Sequence, residues 1–286
     1  MVINPAANGG RSGACRRDIS AYLERRGMRL IWHSTKGVGD AVGIVEDLPE
    51  DALVVAVGGD GTVREVAAGC VGTERIMGVL PVGSGNDYVK ALEVGTRLDE
   101  ALRVLVEGRV KSVDTGEANG VPFNNGLGIG FDAEVAAGVA DAPRYLGGTG
   151  RYLWSVMKLL GGFQCHEATL TLDGDNVVET KTILVAAALG TTYGARFKLA
   201  PDAALDDGLF DIVWSEEVSR AEVLRLVPMA LRGTLLKNPK IHLARASTIQ
   251  VDFAEEIPAH VDGDPLKPTR RFEARVLEGA LRVLVP

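Results

Sequence analysis

Gly58-Gly59-Asp60-Gly61-Thr62 sets three glycines around one carboxylate. It follows the apolar run Val54-Val55-Ala56-Val57 and precedes a helix-like stretch from Val63 to Val71. Glycine lets a backbone take positive φ and approach a ligand closely. Amides in such a turn, and at the helix start behind it, point outward and favour anions. A carboxylate among phosphates is repelled unless a divalent cation lies between them, or unless it accepts a proton from the attacking group. The segment therefore reads as a site for a nucleotide with its metal; the plain alternative is an ordinary strand-to-helix turn.

Other chemistries lack their signatures. Arg64 breaks the G-x-G-x-x-G pattern that Gly59 and Gly61 begin, and no G-x-x-x-x-G-K-[ST] occurs. There is no G-x-S-x-G elbow for a serine hydrolase. Cys15, Cys70 and Cys165 are too far apart for a zinc site, and their odd number argues against a disulfide framework. His33, His166, His242 and His260 form no metal-binding spacing and read as structural.

A chain of 286 residues, 46% hydrophobic and 24% charged, can bury a substantial core. Its longest apolar run, Ile183 to Leu189, is far too short for a bilayer span. Met1-Val2-Ile3-Asn4-Pro5 has no charged and then apolar leader, so the expectation is a cytoplasmic protein. A net charge of −7 leaves no basic footprint for nucleic acid.

These residues need a scaffold, and the first third supplies alternating strands and helices. Strands are expected at Val2 to Asn4, Met28 to Trp32, Leu53 to Val57 and Ile76 to Leu80, with helices near Ala14 to Arg26 and Val38 to Asp47. A second glycine turn, Pro81-Val82-Gly83-Ser84-Gly85-Asn86-Asp87, precedes short helical stretches reaching about Val106. Alternation of this kind implies a mostly parallel sheet, with ligands at the carboxyl ends of its strands. Both glycine turns and the loop Asn4 to Gly13 fall at that edge.

From about Lys111 the pattern becomes mostly β. Thr169 to Leu172 and Val177 to Glu179 flank Asp173-Gly174-Asp175 as a hairpin. Further strands are expected at Ile183 to Ala188, Leu209 to Val213, Thr248 to Phe253, Phe272 to Val276 and Leu281 to Val285, and helices at Arg151 to Leu160 and Arg220 to Leu231. This half reads as a second domain built as a β-sandwich.

Further segments complete a pattern: Asn4-Pro5-Ala6-Ala7-Asn8-Gly9-Gly10, the second turn through Tyr88, Asn125 to Asp132, Ala200 to Gly208, and Val261-Asp262-Gly263-Asp264. With Gly58 to Thr62, their order resembles the diacylglycerol kinase-like lipid kinases, particularly the bacterial soluble branch, nearly end to end. The resemblance implies an N-terminal three-layer α/β domain with a mostly parallel sheet, a C-terminal β-sandwich domain, and a nucleotide cleft between them. The corresponding ranges are 1–113 and 114–276, with a tail, 277–286, that packs back on the first domain.

The resemblance also implies an ATP- and magnesium-dependent transfer of the γ-phosphate to a lipid hydroxyl. It places Asn4, Pro5, Asn8, Thr35, Gly58, Gly59, Asp60, Gly61, Thr62, Ser84, Asn86 and Asp87 around the nucleotide. Asp60 would work with the magnesium of ATP, and Asp207 would hold a second, structural magnesium with carbonyls near Ala204 and Leu209. Asp264 would be the general base, and it stands where the family usually has glutamate. Arg64 stands where asparagine is common, Ser84 replaces threonine, and Asn8 replaces serine. A peripheral position at the inner membrane face and a homodimer are further family expectations.

Phosphoryl transfer relies on positioning and charge neutralisation, and a hydroxyl nucleophile needs a proton acceptor, so amides, magnesium and a carboxylate suffice. Several residues have plainer alternatives. Asp262-Gly263-Asp264 repeats the tripeptide of the Asp173 turn, and Asp206-Asp207-Gly208 alone is a solvated turn. Asp132 fits either an N-cap before Ala133 to Val139 or a magnesium-linked network. Arg144 to Phe163 and Ser219 to Arg245 are basic and amphipathic: each either lies on anionic lipid or packs an ordinary apolar stripe on the sandwich. NAD kinase, which shares the G-G-D-G-T turn, and a non-catalytic nucleotide- or lipid-binding regulator are the alternative functions. The acceptor lipid is open among diacylglycerol, sphingoid base, phosphatidylglycerol and undecaprenol-like alcohols.

Overall fold

The computed structural model describes residues 1–286 apart from Ser84, Ala195 and the side chains of Asn8, Arg11, Ala140, Arg144, Gly148 and Thr149. The chain divides into two compact units, Met1–Thr115 with Glu278–Pro286, and Gly116–Leu277.

The first unit contains β1 (Val2–Ile3), α1 (Arg11–Glu24), β2 (His33–Ser34), α2 (Asp40–Glu46), β3 (Leu53–Gly58), α3 (Asp60–Cys70), β4 (Ile76–Pro81), α4 (Asp87–Ala91), α5 (Leu98–Glu107) and the start of β5 (Arg109–Ala118). Its strands run parallel in the order β4-β3-β1-β2. Val54, Val55, Ala56 and Val57 are all buried, as a parallel strand covered on both faces requires. Helices α2 and α3 pack together on the sheet, and α1 packs with α5.

The second unit contains β6 (Val121–Phe123), β7 (Gly126–Gly130), α6 (Phe131–Gly138), α7 (Gly147–Leu159), β8 (His166–Leu172), β9 (Asn176–Thr182), β10 (Leu184–Ala188), β11 (Phe210–Ser215), α8 (Arg220–Arg232), β12 (Ile241–Ala246), β13 (Thr248–Val261) and most of β14 (Asp264–Val285). It is an antiparallel, sandwich-like domain with the path β12-β11-β10-β7-β13-β14. Strand β13 pairs with β8 through Ile249–Phe253 and with β7 through Ala259–Val261. Its register against β14 shifts on either side of Ile257. Such bulges bend a strand, so one chain segment serves both parts of the sandwich.

Helices α6, α7 and α8 bury Phe131, Val135, Val156, Val223, Leu226 and Ala230 in a core with Ala186 and Val213 of the sheet. Each of the valine, leucine and phenylalanine side chains contributes about 1.5–3 kcal/mol when fully buried. The apolar stripes of α7 and α8 are therefore used within this unit. No helix among the described residues is long and apolar enough to cross a membrane.

Three expectations are corrected. Met28 to Trp32 forms no strand: Trp32 donates to Ser20 Oγ at 3.2 Å and lies under the Arg16 guanidinium, so its ring packs on α1, while pairing starts at His33. Phe272 to Val276 and Leu281 to Val285 are one strand, β14, continuous through Gly279 at φ 57°. Asp132 is not an N-cap, because α6 begins at Phe131 after Gly130, and Asp132 sits inside the first turn.

Candidate active site

The carboxyl ends of β1, β2 and β3 bring the expected nucleotide residues of the first unit to one edge. Asn4 follows β1, and its side-chain oxygen accepts Ala6 N–H at 3.0 Å, closing the turn that leads through Pro5 into α1. Thr35 follows β2, is buried, and donates its backbone N–H to Ile3 at 2.9 Å. Gly58 ends β3, and a Cβ there would lie 2.5 Å from the Thr62 side chain. Thr62 itself is buried.

Asp60 opens α3, where the helix dipole favours negative charge. Its two oxygens accept the backbone N–H groups of Asn86 and Asp87, each at 2.8 Å. Asn86 takes left-handed φ of 54° and exchanges hydrogen bonds with Gly83 at 3.2 and 3.1 Å. The buried Asp87 carboxylate pairs with Lys90 at 2.8 Å. The two glycine turns are thereby fastened to each other. An added Cβ at Gly83 would stand 2.5 Å from Gly59 Cα, and one at Gly85 would stand 2.5 Å from Asp60 Oδ2 and 3.8 Å from Asp87 Oδ2. The turns touch because neither carries a side chain at the contact. Carboxylate oxygens of Asp60 and Asp87 border this glycine contact, and oxygens of that kind can join phosphate oxygens and water around a magnesium. Ser84 and the Asn8 side chain, also expected here, lie outside the described residues.

A second cluster forms within the sandwich unit. Asp262 and Gly263 turn at φ 51° and 89° between β13 and β14, which places Asp264 at the start of β14. Asp262, not singled out in the sequence as a binding residue, accepts N–H groups from Asn124, Asn125 and Gly126 at 2.8, 2.9 and 2.9 Å. Its Asp-Gly turn thus pins β7 as the Asp173 turn pins Ser247 and Thr248. Asp132 accepts from the Tyr152 hydroxyl at 3.2 Å and meets His260 Nε2 at 3.0 Å. Burial, the largest influence on the His260 ring, pushes its pKa down, but Asp132, Asp262 and Asp264 outweigh it and raise it above the ordinary value. From the sequence alone His260 reads as structural, because a lone histidine in a β run carries no other signal. Asp132 and Tyr152 also line an apolar cavity of about 90 Å³ with Phe131, Val156, Phe197 and Leu226.

The Asp207 turn is closed differently. One Asp207 oxygen accepts Leu209 N–H at 3.2 Å, and the other faces the Arg245 guanidinium at 3.3 Å. Arg245 on β12 stands opposite Asp211 on β11 and donates to its buried carboxylate at 2.7 Å. Those two aspartates and Asp202 raise the Arg245 pKa further, the Asp211 hydrogen bond most. Among the described residues no three of His, Cys, Asp and Glu converge as metal ligands. A fixed guanidinium at Asp207 does not fit a carboxylate held open for a structural cation, and Asp132 is likewise engaged by a tyrosine and a histidine.

Residues 1–118 match the family described as diacylglycerol kinase catalytic domain, and residues 126–285 match that described as YegS C-terminal NAD kinase beta sandwich-like domain. The diacylglycerol kinase of Bacillus subtilis (strain 168) is 30% identical over 247 residues, 85% of this chain and 81% of that protein. A solved structure from Bacillus anthracis str. Sterne, assigned as a diacylglycerol kinase, aligns with TM-score 0.81 at 25% identity over 100% of this chain and 96% of that one. An NAD kinase from Archaeoglobus fulgidus in complex with ATP aligns with TM-score 0.54 at 12% identity, over 99% of this chain and 92% of that one, and shares the fold alone. Matched in both halves and related along most of its length to a diacylglycerol kinase, the chain belongs to the diacylglycerol kinase family of lipid kinases and is a kinase.

Proposed function

We propose that this kinase moves the γ-phosphate of ATP onto the hydroxyl of diacylglycerol or a closely related lipid, giving phosphatidic acid or its analogue. The observation that carries the reading is the fastening of the two glycine turns through Asp60, in a chain 30% identical to a diacylglycerol kinase. In this reading residues 1–113, with the tail 277–286, form the nucleotide-binding domain, and 114–276 form the lipid-binding one. Asn4, Pro5, Asn8, Thr35, Gly58 to Thr62, Ser84 and Asn86 surround ATP. Magnesium bound with ATP supplies charge neutralisation on the phosphate oxygens, and Asp60 and Asp87 are the carboxylates that would hold it.

The lipid hydroxyl oxygen bonds to the γ-phosphorus as that phosphorus parts from the β–γ bridging oxygen. ADP leaves, and the hydroxyl proton passes to the Asp264 carboxylate. Backbone amides of Gly59 to Thr62 at the start of α3 orient the phosphates and offset their charge. A lipid acceptor also implies work at a membrane surface.

The test supplies ATP labelled in the γ-phosphate, with magnesium, to diacylglycerol in mixed micelles, a sphingoid base, total bacterial lipid and NAD. Label in phosphatidic acid is the expected result. Label in NADP alone would transfer the reading to NAD kinase, and ATP binding without any product would favour a regulator.

A further inference from the structure

His260 is 4% exposed, and both of its ring nitrogens are engaged within the sandwich unit. Nδ1 lies 3.1 Å from the backbone N–H of Gly263 and accepts from it. In the neutral ring the proton must then sit on Nε2, which faces Asp132 Oδ2 at 3.0 Å. One imidazole thus joins the Asp132 carboxylate to the Asp262-Gly263 turn that leads into Asp264. The other Asp132 oxygen is held by the Tyr152 hydroxyl. Strand β7 yields space for this pair: a Cβ on Gly128 would overlap Asp132 Oδ2 and stand 2.6 Å from His260 Nε2. Asp132 is the one carboxylate among the described residues lining the apolar cavity. A carboxylate at the end of an apolar space is unfavourable unless hydrogen bonds fix and satisfy it.

We propose that His260 is a positioning residue. Its ring fixes Asp132 at the polar end of the apolar cavity and ties it to the turn bearing Asp264, so that the hydroxyl-bearing head of the lipid meets both carboxylates in one set geometry. This inference rests on the lipid-kinase reading.

Two amides separate positioning from simple support of the turn. In His260→Asn the amide oxygen replaces Nδ1 as acceptor for Gly263, but the amide nitrogen stops short of Asp132. In His260→Gln the amide nitrogen reaches the place of Nε2 and can donate to Asp132. Kinetics on diacylglycerol micelles should show His260→Ala lowering kcat about 10- to 100-fold, the scale of a lost positioning contact, with the KM for ATP unchanged. His260→Gln should recover more of kcat than His260→Asn. Should His260→Ala fail to fold, Tyr152→Phe removes the hydroxyl that donates to the other Asp132 oxygen and should lower kcat with an unchanged KM for ATP. Equal or better recovery by asparagine, wild-type kcat in His260→Ala, or, where that variant does not fold, wild-type kcat in Tyr152→Phe overturns the proposal while the kinase reading stands. A wild-type protein that phosphorylates no lipid overturns both.

Discussion

Asp60 and Asp87 are joined through the main chain: the Asp87 N–H donates to Asp60 Oδ1 at 2.8 Å, while Asn86 N–H donates to Oδ2. Both oxygens of the turn's only carboxylate thus serve the fold before any ligand is present. Asp60→Asn keeps one acceptor and turns an NH2 toward the other amide N–H. That mismatch should cost about 1–3 kcal/mol in urea unfolding. It should also lower kcat on the order of 10²-fold, because in the proposed site a negative charge beside the phosphates is lost. Full activity in the asparagine variant would remove Asp60 from the nucleotide site.

The contact of the two turns depends on missing side chains. Gly83→Ala would drive a Cβ to 2.5 Å from Gly59 Cα, a backbone atom that cannot swing aside. Overpacking of this kind costs about 1–3 kcal/mol, and here it would spread the turns proposed to surround ATP. Calorimetric titration should show ATP binding weakened about tenfold or more, which is about 1.4 kcal/mol. Gly43→Ala, inside α2 with nothing within 4 Å of the new Cβ, should bind ATP normally and gain up to about 1 kcal/mol of stability. Equal ATP affinity in both variants would show that the turn contact is unimportant for binding.

Much of the first unit was legible because its signals are local. The run Val54 to Val57 ends at glycines, and β3 and α3 fall within a few residues of expectation. α8 announces itself with Ser219 and Glu222 as a capping box and Gly233 at its end. Strand β7, Gly-Leu-Gly-Ile-Gly, could not be read, since glycine has little strand preference. Its glycines answer to distant partners: Tyr193 crowds Gly126, and Asp132 with His260 crowds Gly128. The N-cap alternative for Asp132 fails for the same reason, because its partners, Tyr152 and His260, are 20 and 128 residues away. In the candidate site, the expected role of Asp60 follows from residue type, whereas Asp262 as a clasp on β7 follows only from the folded register.

Cys70 ends α3 in the core, and burial pushes its thiol up to about 12, with the Arg75 cation opposing this less strongly. A raised folded-state pKa means that the native protein holds the proton more tightly than the unfolded chain. The associated stability is complete below about pH 9, the ordinary value, and is lost as pH rises toward 12. Cys15 and Cys165 are half-buried. At pH 8 a disulfide reagent should therefore modify two thiols promptly and the third only on unfolding. Urea melts at pH 8 and 10.5 should differ less in Cys70→Ala than in wild type. Rapid modification of all three thiols in the folded protein would contradict the burial of Cys70.

Arg245 is expected to decide how the Asp207 turn responds to magnesium. Its guanidinium faces Asp207 and donates to Asp211, whose side chain is 4% exposed, so a cation is already built into the place where family resemblance implies a metal. Wild-type melts without ATP should coincide in EDTA and in millimolar magnesium. Arg245→Ala removes the cation and leaves Asp211 buried without its charged donor, which should destabilise the unit by about 1–3 kcal/mol. In that variant magnesium should restore part of the lost Tm, because two carboxylates then face an open space. A magnesium-dependent Tm in wild type that disappears in Asp207→Asn would show that a metal binds beside the arginine, and the guanidinium would then be an accessory to the ion.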